Sequence, residues 1–318
     1  MDASYLKDRT VLVTGAAGCI GAWAVKLLRE AGACPVVYDL SAQRDRLALI
    51  MPDAEQVVWE LGDITDFNQL MVVARQYKVS AIIHLAALQV PFCKADPINS
   101  TRINVMGSIN ILELARQLGI AHLSYASSIA APAMGDNAWL ATLYGAHKIC
   151  GEQMAAVYWQ DWSQPSVGIR PGIIYGPGRD QGMSAAPTIA MLAAATGEQY
   201  TIPFSGDVAF VHVEDAAMRF IAAAAQCTEG ARVFDMNGTP ANVTRILSLL
   251  ENHRPEVNLD STGDPMPFPA DPDDGSLDAW LKMPPYRSIE SGVTDTLQVF
   301  HDAEARGFNL RSLLAKVR

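Results

Sequence analysis

Short apolar segments alternate with longer segments of helical periodicity along the first half of the chain. The short segments predict buried strands at Thr10–Thr14, Pro35–Tyr38, Gln56–Trp59, Ala81–Leu85, His122–Ala126 and Ser166–Arg170. The longer segments predict helices at Ala22–Ala31, Phe67–Tyr77, Ile98–Leu118 and Thr142–Trp159. Strands that alternate with helices favour parallel β-α-β units with helices on both faces of the sheet. The pattern therefore predicts an α/β fold with a doubly wound parallel sheet.

The alternation becomes less regular after about Gly176. Helices are predicted at Pro187–Thr196 and Glu214–Gln226, strands at Phe210–Val213 and Ala231–Met236, and a loop rich in Pro, Asp and Gly at Ser261–Ser276. We expect residues 1–175 to form the main domain, with contributions from about residues 205–240. We expect residues 176–318 to form mainly a smaller lobe that is interleaved with the main sheet.

The charge of the chain limits the class of partner. The formal net charge is −10, and the 24 Lys and Arg residues form no basic block. Proteins that bind a nucleic-acid backbone usually concentrate positive charge on one surface. We therefore expect a small-molecule substrate and no nucleic acid.

The cysteines and the apolar segments indicate the compartment. The five cysteines are scattered, and they form no Cys-x-x-Cys pair and no Cys/His cluster with metal-ligand spacing. The first residues lack a basic segment followed by an apolar one, and no apolar run is long enough to cross a bilayer. These features predict reduced thiols, no metal, no membrane association and a cytoplasmic location.

The first predicted strand leads directly into a glycine-rich turn. Gly15, Gly18 and Gly21 follow Thr14 with the spacing Gly-x-x-Gly-x-x-Gly. Such a turn lets the chain leave the strand sharply, approach a pyrophosphate closely and pack the next helix against the strand. The N-terminus of that helix directs free N–H groups at the phosphates. An ordinary β–α turn can also be rich in glycine, but this position favours a Rossmann-type dinucleotide site.

Asp39, at the end of the second predicted strand, indicates which dinucleotide is bound. It lies 18 residues beyond the last glycine, Gly21, where an acidic side chain hydrogen-bonds the adenosine ribose 2′-hydroxyl. Its carboxylate would repel a 2′-phosphate, so NAD is favoured over NADP. Arg44 and Arg46 lie nearby and leave NADP open, because arginine can bind a 2′-phosphate. An Asp that starts a turn before Ser41 is the alternative interpretation.

Tyr144 and Lys148 form a candidate catalytic pair. They are four residues apart in a predicted helix and so share one face. A free phenol has a pKa near ~10, which makes it a poor base at neutral pH. A neighbouring ammonium and the positive nicotinamide ring would favour the phenolate and lower that pKa. Tyr144 would then exchange a proton with the substrate hydroxyl. The alternative is a surface Tyr–Lys pair on an amphipathic helix.

Several motifs occur in the order found in a known family. Beside the Thr14–Gly21 turn and Asp39 they are Gly62-Asp63-Ile64, His84-Leu85-Ala86-Ala87, Asn104-Val105-Met106-Gly107-Ser108, Ala126-Ser127-Ser128, Tyr144-x-x-x-Lys148 with Gly151-Glu152, and Arg170-Pro171-Gly172-Ile173-Ile174-Tyr175-Gly176-Pro177. Together they cover roughly residues 10–240. The chain resembles the extended branch of the short-chain dehydrogenase/reductase superfamily, the NAD-dependent epimerase/dehydratase family.

The resemblance implies that residues 1–175 bind NAD and that Lys148 also binds the nicotinamide ribose. The residues implied to contact the coenzyme are Gly15, Ala17, Gly18, Cys19, Ile20, Gly21, Asp39, Leu40, Asp63, Ile64, Leu85, Ala86, Ala87, Asn104, Tyr144, Lys148, Pro171, Gly172, Ile173 and Ile174. For Asn104 two roles remain open, support of a proton relay and a hydrogen bond to the backbone inside a helix.

Ser128 is the third candidate catalytic residue. It follows a predicted strand at the edge where open α/β sheets place their sites, so its hydroxyl could steady the reacting oxygen. The neighbouring Ser127 is the alternative, and either serine could instead cap a turn. The family often has Tyr where this chain has Pro132, which supports Ser128 and predicts an altered pocket wall.

The substrate half departs from the nucleotide-sugar enzymes of the family. Those enzymes typically carry Asn and Arg where this chain has Ile173 and Val208, and these polar groups hold a diphosphate. We therefore expect a small sugar, sugar acid or polyol as substrate. The candidate substrate residues are Gln89, Ser128, Ile129, Ala130, Tyr144 and Arg179. Arg170 and His212 are further candidates, with a salt bridge and a core hydrogen bond as their alternative roles.

The sequence thus predicts an NAD-dependent dehydrogenase that acts on a secondary alcohol. A nucleotide-sugar epimerase or dehydratase, with transient reduction of NAD, is the alternative. A dinucleotide-sensing protein without activity is disfavoured because Ser128, Tyr144 and Lys148 are all present. Residues Met154–Trp159 are apolar around most of the helix. By analogy with family members that pair through this helix, we expect a homodimer.

Overall fold

The computed structural model describes residues 6–132, 141–236, 238–266, 270–271 and 275–317. The strands in this part are β1 Thr10–Thr14, β2 Cys34–Asp39, β3 Val58–Leu61, β4 Ala81–His84, β5 His122–Ala126, β6 Ser166–Pro171, β7 Ile173–Tyr175, β8 Tyr200–Ile202, β9 Asp207–His212, β10 Ala231–Met236, β11 Thr239–Asn242 and β12 Leu259–Ser261. Within these residues, the strands β10-β6-β5-β4-β1-β2-β3 form one sheet in that order.

All neighbouring pairs in this sheet are parallel. The chain builds β1, β2 and β3 in one direction, then returns to the other side of β1 and continues through β4, β5, β6 and β10. The order of strands therefore reverses between β1 and β4, where a crevice opens at the carboxyl ends of the strands. The predicted doubly wound α/β fold is confirmed.

Helices cover both faces of the sheet. Their bounds are α1 Cys19–Glu30, α2 Asp45–Ile50, α3 Phe67–Gln76, α4 Val90–Ala95, α5 Pro97–Thr101, α6 Gly107–Leu118, α7 Leu143–Trp162, α8 Ala186–Thr196, α9 Val213–Gln226, α10 Val243–His253, α11 Ser276–Leu281, α12 Ile289–Ala305 and α13 Leu310–Val317. Two apolar clusters result. One joins the sheet to α1, α8 and α9, and the other joins it to α3 and α6.

The predicted helix Ile98–Leu118 is interrupted by a π-helical turn at Arg102–Met106, between α5 and α6. Helix α6 is capped at its C-terminus by Gly119, whose φ of 66° is the left-handed conformation that such caps adopt. A π-turn inserts one extra residue and is common near functional sites. Hydrophobic periodicity does not reveal such an insertion, because the apolar positions on both sides still fit helical spacing.

Two predicted strands are shifted. The strand predicted at Gln56–Trp59 starts at Val58, because Ala54–Gln56 form a turn of 3₁₀ helix. The strand predicted at Phe210–Val213 covers Asp207–His212 and ends where the His212 side chain accepts a hydrogen bond from the Glu214 N–H and begins α9. Side-chain capping of this kind fixes a boundary that apolar periodicity does not show.

The second half of the chain contributes to both the main sheet and smaller ones. Strand β10 pairs with β6 in the main sheet. Among the described residues, β11, β9 and β7 form a second sheet and β12 pairs with β8 in a third. The predicted loop Ser261–Ser276 contains the end of β12 and the start of α11, and residues 267–269 and 272–274 lie outside the described part. The division at residue 175 stays a prediction.

Helix α7 has apolar residues around most of its circumference, and the structure buries only part of them. Gly145, Ala155 and Tyr158 are buried, whereas Val157 is 47% exposed and Trp162 is 50% exposed. In the described ranges, none of the helices combines the length and the apolar character needed to span a bilayer.

Candidate active site

The glycine-rich turn lies in the crevice between β1 and β4. Gly15 has a φ of 74°, and a Cβ atom there would lie 2.6 Å from the Ala86 backbone nitrogen. A Cβ atom on Gly21 would lie 2.4 Å from the Gly15 carbonyl oxygen. Helix α1 begins directly after Gly18, so its first N–H groups face the crevice. This cradle fits a pyrophosphate, because backbone donors converge where no side chain intrudes.

Asp39 is held at the edge of this cradle by two backbone donors. Its carboxylate accepts hydrogen bonds from the Ala17 N–H and the Ser41 N–H, both at 2.9 Å. The side chain therefore has a fixed position beside the glycine-rich turn. It could hold a ribose hydroxyl through its remaining acceptor capacity.

Arg44 and Arg46 are both hydrogen-bonded to other groups of the protein. Arg44 donates to the carbonyls of Ala54 and Val57. Arg46 forms a bidentate pair with Asp180 and donates to the Ala17 carbonyl at 2.6 Å. These contacts satisfy the two guanidinium groups, so the geometry favours NAD over NADP at this end of the crevice.

The crevice opens into one cavity of about 730 Å³. This volume is within the range of small-molecule and cofactor sites. The wall contains the following residues expected from the sequence: Gly15, Ala17, Gly18, Cys19, Ile20, Gly21, Asp39, Leu40, Asp63, Ile64, Leu85, Ala86, Ala87, Gln89, Ser128, Ile129, Ala130, Tyr144, Lys148, Pro171, Gly172, Ile173, Ile174 and Arg179. The fold thus brings together segments that are far apart in the sequence.

Ser128, Tyr144 and Lys148 converge on this cavity. The Lys148 ammonium lies 5.4 Å from the centre of the Tyr144 ring and donates to the Ala126 carbonyl at 2.6 Å. The Ser128 hydroxyl accepts a hydrogen bond from the Ala130 N–H at 3.1 Å and lies near enough to Tyr144 to lower the pKa of its phenol. A phenol, an ammonium and an alcohol therefore lie side by side next to the glycine-rich turn.

The start of α7 is fixed against the loop that carries Ser128. Thr142 caps the helix by accepting a hydrogen bond from the Gly145 N–H at 3.0 Å. A Cβ atom on Gly145 would lie 2.5 Å from the Ala130 carbonyl oxygen. The absence of a side chain at Gly145 allows this close approach, which places Tyr144 beside Ser128.

Burial has the largest effect on the pKa values of both Tyr144 and Lys148. It raises the pKa of Tyr144, and the nearby Ser128 hydroxyl acts in the opposite direction. It lowers the pKa of Lys148 to about 8. The sequence predicted a lowered phenol pKa, and the direction here is the reverse because the loss of hydration outweighs the nearby hydroxyl. The predicted lowering depends on the positive charge of the oxidised nicotinamide ring.

Ser127 points to a different partner from Ser128. Its hydroxyl donates to the Glu152 carboxylate, which also forms a bidentate pair with Arg170 at 2.8 and 2.7 Å. Arg170 further contacts Asp235 at 3.4 Å. Arg170, a candidate for substrate contact, is therefore part of an ion-pair network behind the strands. Both serines lie in the cavity wall, but the Ser127 hydroxyl is bound to Glu152, whereas Ser128 lies beside Tyr144.

Asn104 lies in the π-helical turn and binds the backbone. Its amide oxygen accepts from the Leu88 N–H at 2.8 Å, and its amide nitrogen donates to the Leu88 carbonyl at 2.9 Å. In the described part of the chain, the cavity wall includes the neighbouring Ile103 but not Asn104. Of the two roles left open, these contacts support the backbone one. The residue clamps the loop that follows β4.

Two other expected positions lie in the core. His212 caps α9, and its other ring nitrogen lies 3.4 Å from the Thr296 hydroxyl. Its pKa lies well below the usual value because the ring is buried. Val208 is 2% exposed. Among the described residues, neither side chain belongs to the cavity wall, whereas Ile173 does. His212 therefore has the structural role.

Helix α13 supplies wall residues that the sequence did not predict. Leu313, Lys316 and Val317 reach the cavity, and the Lys316 ammonium lies 3.2 Å from the Asp45 carboxylate. The amphipathic pattern of these residues predicts a helix at most. Only the packing of α13 on α8 brings the end of the chain to the crevice.

Comparison with known proteins identifies the family. The family model described as "NAD dependent epimerase/dehydratase family" matches residues 11–237. The chain belongs to this family. Members of this family are NAD-dependent enzymes, and the matched range includes the glycine-rich turn, Asp39 and the Tyr144–Lys148 pair. No group of three or more His, Cys, Asp or Glu side chains that could hold a metal ion occurs in the described part of this family member.

Curated relatives of this family member match only part of its length. The UDP-glucose 4-epimerase of Homo sapiens is 35% identical over 128 residues, which are 37% of this chain and 37% of that enzyme. The UDP-glucose 4-epimerase of Mycolicibacterium smegmatis is 28% identical over 236 residues, 70% of this chain and 75% of that enzyme. The chain thus aligns with little more than a third of the human enzyme.

Solved structures of the family show the same fold. L-threonine dehydrogenase from Clostridium difficile has a TM-score of 0.79 and 21% identity, with 95% of this chain and 100% of that chain covered. UDP-glucose 4-epimerase from Thermotoga maritima has a TM-score of 0.77 and 21% identity, with 93% and 99% covered. At this identity the similarity concerns the fold, and the substrate is a separate question.

The position of Asp39 predicts the choice of coenzyme. In the Asp39→Ser variant we expect NAD to bind roughly tenfold or more weakly, because a charge-assisted hydrogen bond to the ribose is lost. NADP should bind better because the repelling carboxylate is gone. Titration of both reduced coenzymes by fluorescence measures the change. Asp53→Ser, which removes a carboxylate paired with Arg29, is the matched control. An unchanged preference would show that Asp39 does not contact the ribose.

Burial of Lys148 predicts a pH-dependent cost in stability. Its pKa of about 8 in the folded protein is below the usual 10.5, so the folded chain binds fewer protons between these values. The cost of burying the ammonium is complete below pH 8 and decreases as the pH rises to 10.5. We expect the melting temperature of Lys148→Met, relative to the parent, to be higher at about pH 7 than at about pH 10.

Thermal melts of the two proteins at both pH values test this expectation. Lys94→Met, at an exposed position, serves as the comparison for the loss of a surface amine. A difference in melting temperature between Lys148→Met and the parent that is the same at both pH values would contradict it.

Proposed function

We propose that this chain is an NAD-dependent dehydrogenase that oxidises a secondary alcohol of a small sugar, sugar acid or polyol. The observation that supports it is the convergence of Ser128, Tyr144 and Lys148 on the cavity that also contains the glycine-rich turn. Proton transfer by a positioned side chain and stabilisation of a developing charge are what this reaction requires of the protein.

Each of the three side chains has a role in this proposal. NAD held in the cavity would supply the acceptor for the hydride of the carbinol carbon. Tyr144 removes the hydroxyl proton through its phenolate oxygen. Ser128 donates a hydrogen bond to the reacting oxygen and orients it. Lys148 binds the nicotinamide ribose and stabilises the phenolate. In the reverse direction Tyr144 returns the proton to the ketone.

The wall of the cavity supports a substrate without a nucleotide. Ile173 lies in the wall and is 4% exposed, and an apolar side chain there provides no hydrogen bond to a diphosphate. The residues that would hold NAD come mostly from positions before 175, whereas Arg179 and Ser184 come from the later lobe. This distribution supports an NAD-binding domain at 1–175 and a substrate lobe at 176–318.

We also propose that the protein acts in the cytoplasm. The five cysteines are free thiols in the structure. Unpaired thiols are typical of a reducing compartment. Recovery of the activity in the soluble fraction after lysis, without reductant-dependent reactivation of a disulfide form, tests this proposal.

A nucleotide-sugar epimerase is the alternative function. The named curated relatives are UDP-glucose 4-epimerases, and the family model matches residues 11–237, which include the glycine-rich turn. In such an enzyme the hydride leaves the sugar and returns to it within one turnover, so NAD undergoes no net change.

A substrate panel distinguishes the two functions. We expect at least one member of a panel of aldoses, aldonates and alditols to produce NADH, followed by absorbance. Tyr144→Phe should lower kcat by roughly 100- to 10,000-fold, because it removes the acid–base group. Binding of NADH and the melting temperature should remain near those of the parent. Tyr158→Phe, on the same helix but bonded to Glu113, is the control.

Two outcomes would contradict the proposal. One is conversion of UDP-glucose to its epimer without net NADH, in the absence of activity on any panel member. The other is full turnover by Tyr144→Phe on a substrate that the parent oxidises, which would show that Tyr144 is not the acid–base group.

We further propose a homodimer formed through the two long helical segments. Met106, Ile109, Val157 and Trp162 on these segments are 37–50% exposed, and α6 packs on α7. Large exposed apolar side chains on neighbouring helices are typical of interfaces.

Substitution of Val157 by arginine tests the dimer. We expect Val157→Arg to shift the mass measured by light scattering from twice the chain mass to the chain mass, because a buried charge opposes association. Val72→Arg, at a 62% exposed position on α3, should leave the mass unchanged. A monomeric parent protein would show that the proposal is wrong.

A further inference from the structure

Two of the four Lys and Arg residues in the described cavity wall are paired with carboxylates of the protein. Arg46 is bound by the Asp180 carboxylate, and the Lys316 ammonium lies 3.2 Å from Asp45. These two side chains contribute little free positive charge to a ligand, because their partners already neutralise them.

Arg179 differs from these cations. Within the described part of the chain it takes part in no ion pair, and its Nη2 donates to the Ser184 hydroxyl at 3.1 Å. Its buried Nε atom has no hydrogen-bond partner. A guanidinium has five donors and is always charged, so burial without an anionic partner is costly. Buried charges in proteins are usually paired, which points to an anion supplied from outside the chain.

The free guanidinium lies at the reacting end of the cavity. Tyr144 is near enough to Arg179 to interact with its charge. On the other side is Gly182, with a φ of 99°, where a Cβ atom would lie 3.1 Å from Arg179 Nη2 and 2.5 Å from Gln89 Oε1. The absence of a side chain at Gly182 therefore allows the guanidinium and the Gln89 amide to lie close together against its backbone.

We propose that Arg179 binds the carboxylate of the substrate, with Gln89 and Ser184 beside it, and that the substrate is therefore a hydroxy acid. This inference rests on the proposed dehydrogenase function and narrows its substrate class. A carboxylate offers two oxygen atoms that fit the guanidinium fork and neutralise its charge. A hydroxyl of a neutral sugar or polyol accepts one hydrogen bond and leaves the charge uncompensated.

The overall charge of the chain is unfavourable for the approach of an acidic substrate. A net charge of −10 repels anions at long range. Recognition of an acid then depends on a local cation at the site. The other anion that enters the cavity is the pyrophosphate of NAD. Cys19, within the glycine-rich turn, also lies within electrostatic reach of Arg179. The experiment therefore measures the binding of the substrate acid and the binding of the coenzyme separately.

The test pairs each acid with its neutral counterpart. D-gluconate, D-galactonate and D-threonate are compared with the corresponding alditols, both in turnover with NAD and in calorimetric binding to the NADH-loaded enzyme. The parent should bind and oxidise an aldonate, with a kcat/KM roughly tenfold or more above that of its alditol. Arg179→Gln should raise the KM and the Kd for the aldonate by roughly 10- to 100-fold, and should leave the Kd for NADH unchanged.

Two further variants serve as controls. Arg179→Lys keeps the positive charge but loses the paired N–H donors of the guanidinium. It should therefore bind the aldonate more weakly than the parent but more tightly than Arg179→Gln does. Arg245→Gln removes an exposed arginine that is paired with Glu290 on the surface, and it should behave as the parent.

Three outcomes would overturn the inference. The first is weaker binding of NADH by Arg179→Gln with unchanged aldonate binding, which assigns the arginine to the pyrophosphate. The second is oxidation of alditols or aldoses by a parent that binds no aldonate, which leaves the dehydrogenase function intact. The third is aldonate binding that Arg179→Gln does not weaken. An aldonate that binds through Arg179 without being oxidised would support the anion site and contradict the dehydrogenase function.

Discussion

Close contact between two backbone segments at the ends of β1 and β4 is the constraint on which the site depends. The Thr14 hydroxyl lies 2.7 Å from His84 Nδ1 and is within hydrogen-bond distance of the Leu85 and Ala86 N–H groups. Gly15 lies so near Ala86 that a side chain would not fit. Because β1 and β4 are neighbours only through the reversal of strand order, the phosphate cradle is a product of the topology.

The catalytic groups are attached to this junction through short contacts. Lys148 donates to Ala126 at the end of β5, and Gly145 lets α7 approach the loop after Ser128. Asn104 binds both backbone groups of Leu88 and so fixes the loop after β4. Rigid elements of the sheet therefore position the side chains, and the loops between them need few degrees of freedom.

The charged groups near the site are of two kinds, those paired with another charge of the protein and those without such a partner. Glu152, Arg170 and Ser127 form a closed network behind the strands, where each charge has a partner. Arg179 and Lys148 face the cavity, and burial shifts the pKa of each toward the neutral form. Charged groups with shifted pKa values are concentrated at functional sites, since a bound ligand can supply the missing partner.

The sequence by itself determined the order of the strands up to β6, the longer helices between them, the glycine-rich turn, Asp39 and the Tyr144–Lys148 spacing, whereas the short helices α2 and α4 were not predicted. These features depend on local periodicity, on backbone freedom at glycine and on four-residue helical spacing, which are all properties of neighbouring residues. Only the tertiary structure decided that Ser127 is bound to Glu152 while Ser128 lies beside Tyr144, that Arg170 is paired and Arg179 is not, and that α13 reaches the crevice. Whether a polar group has a partner depends on residues far away in the chain, and the sequence alone does not show which of those residues lie close together in space.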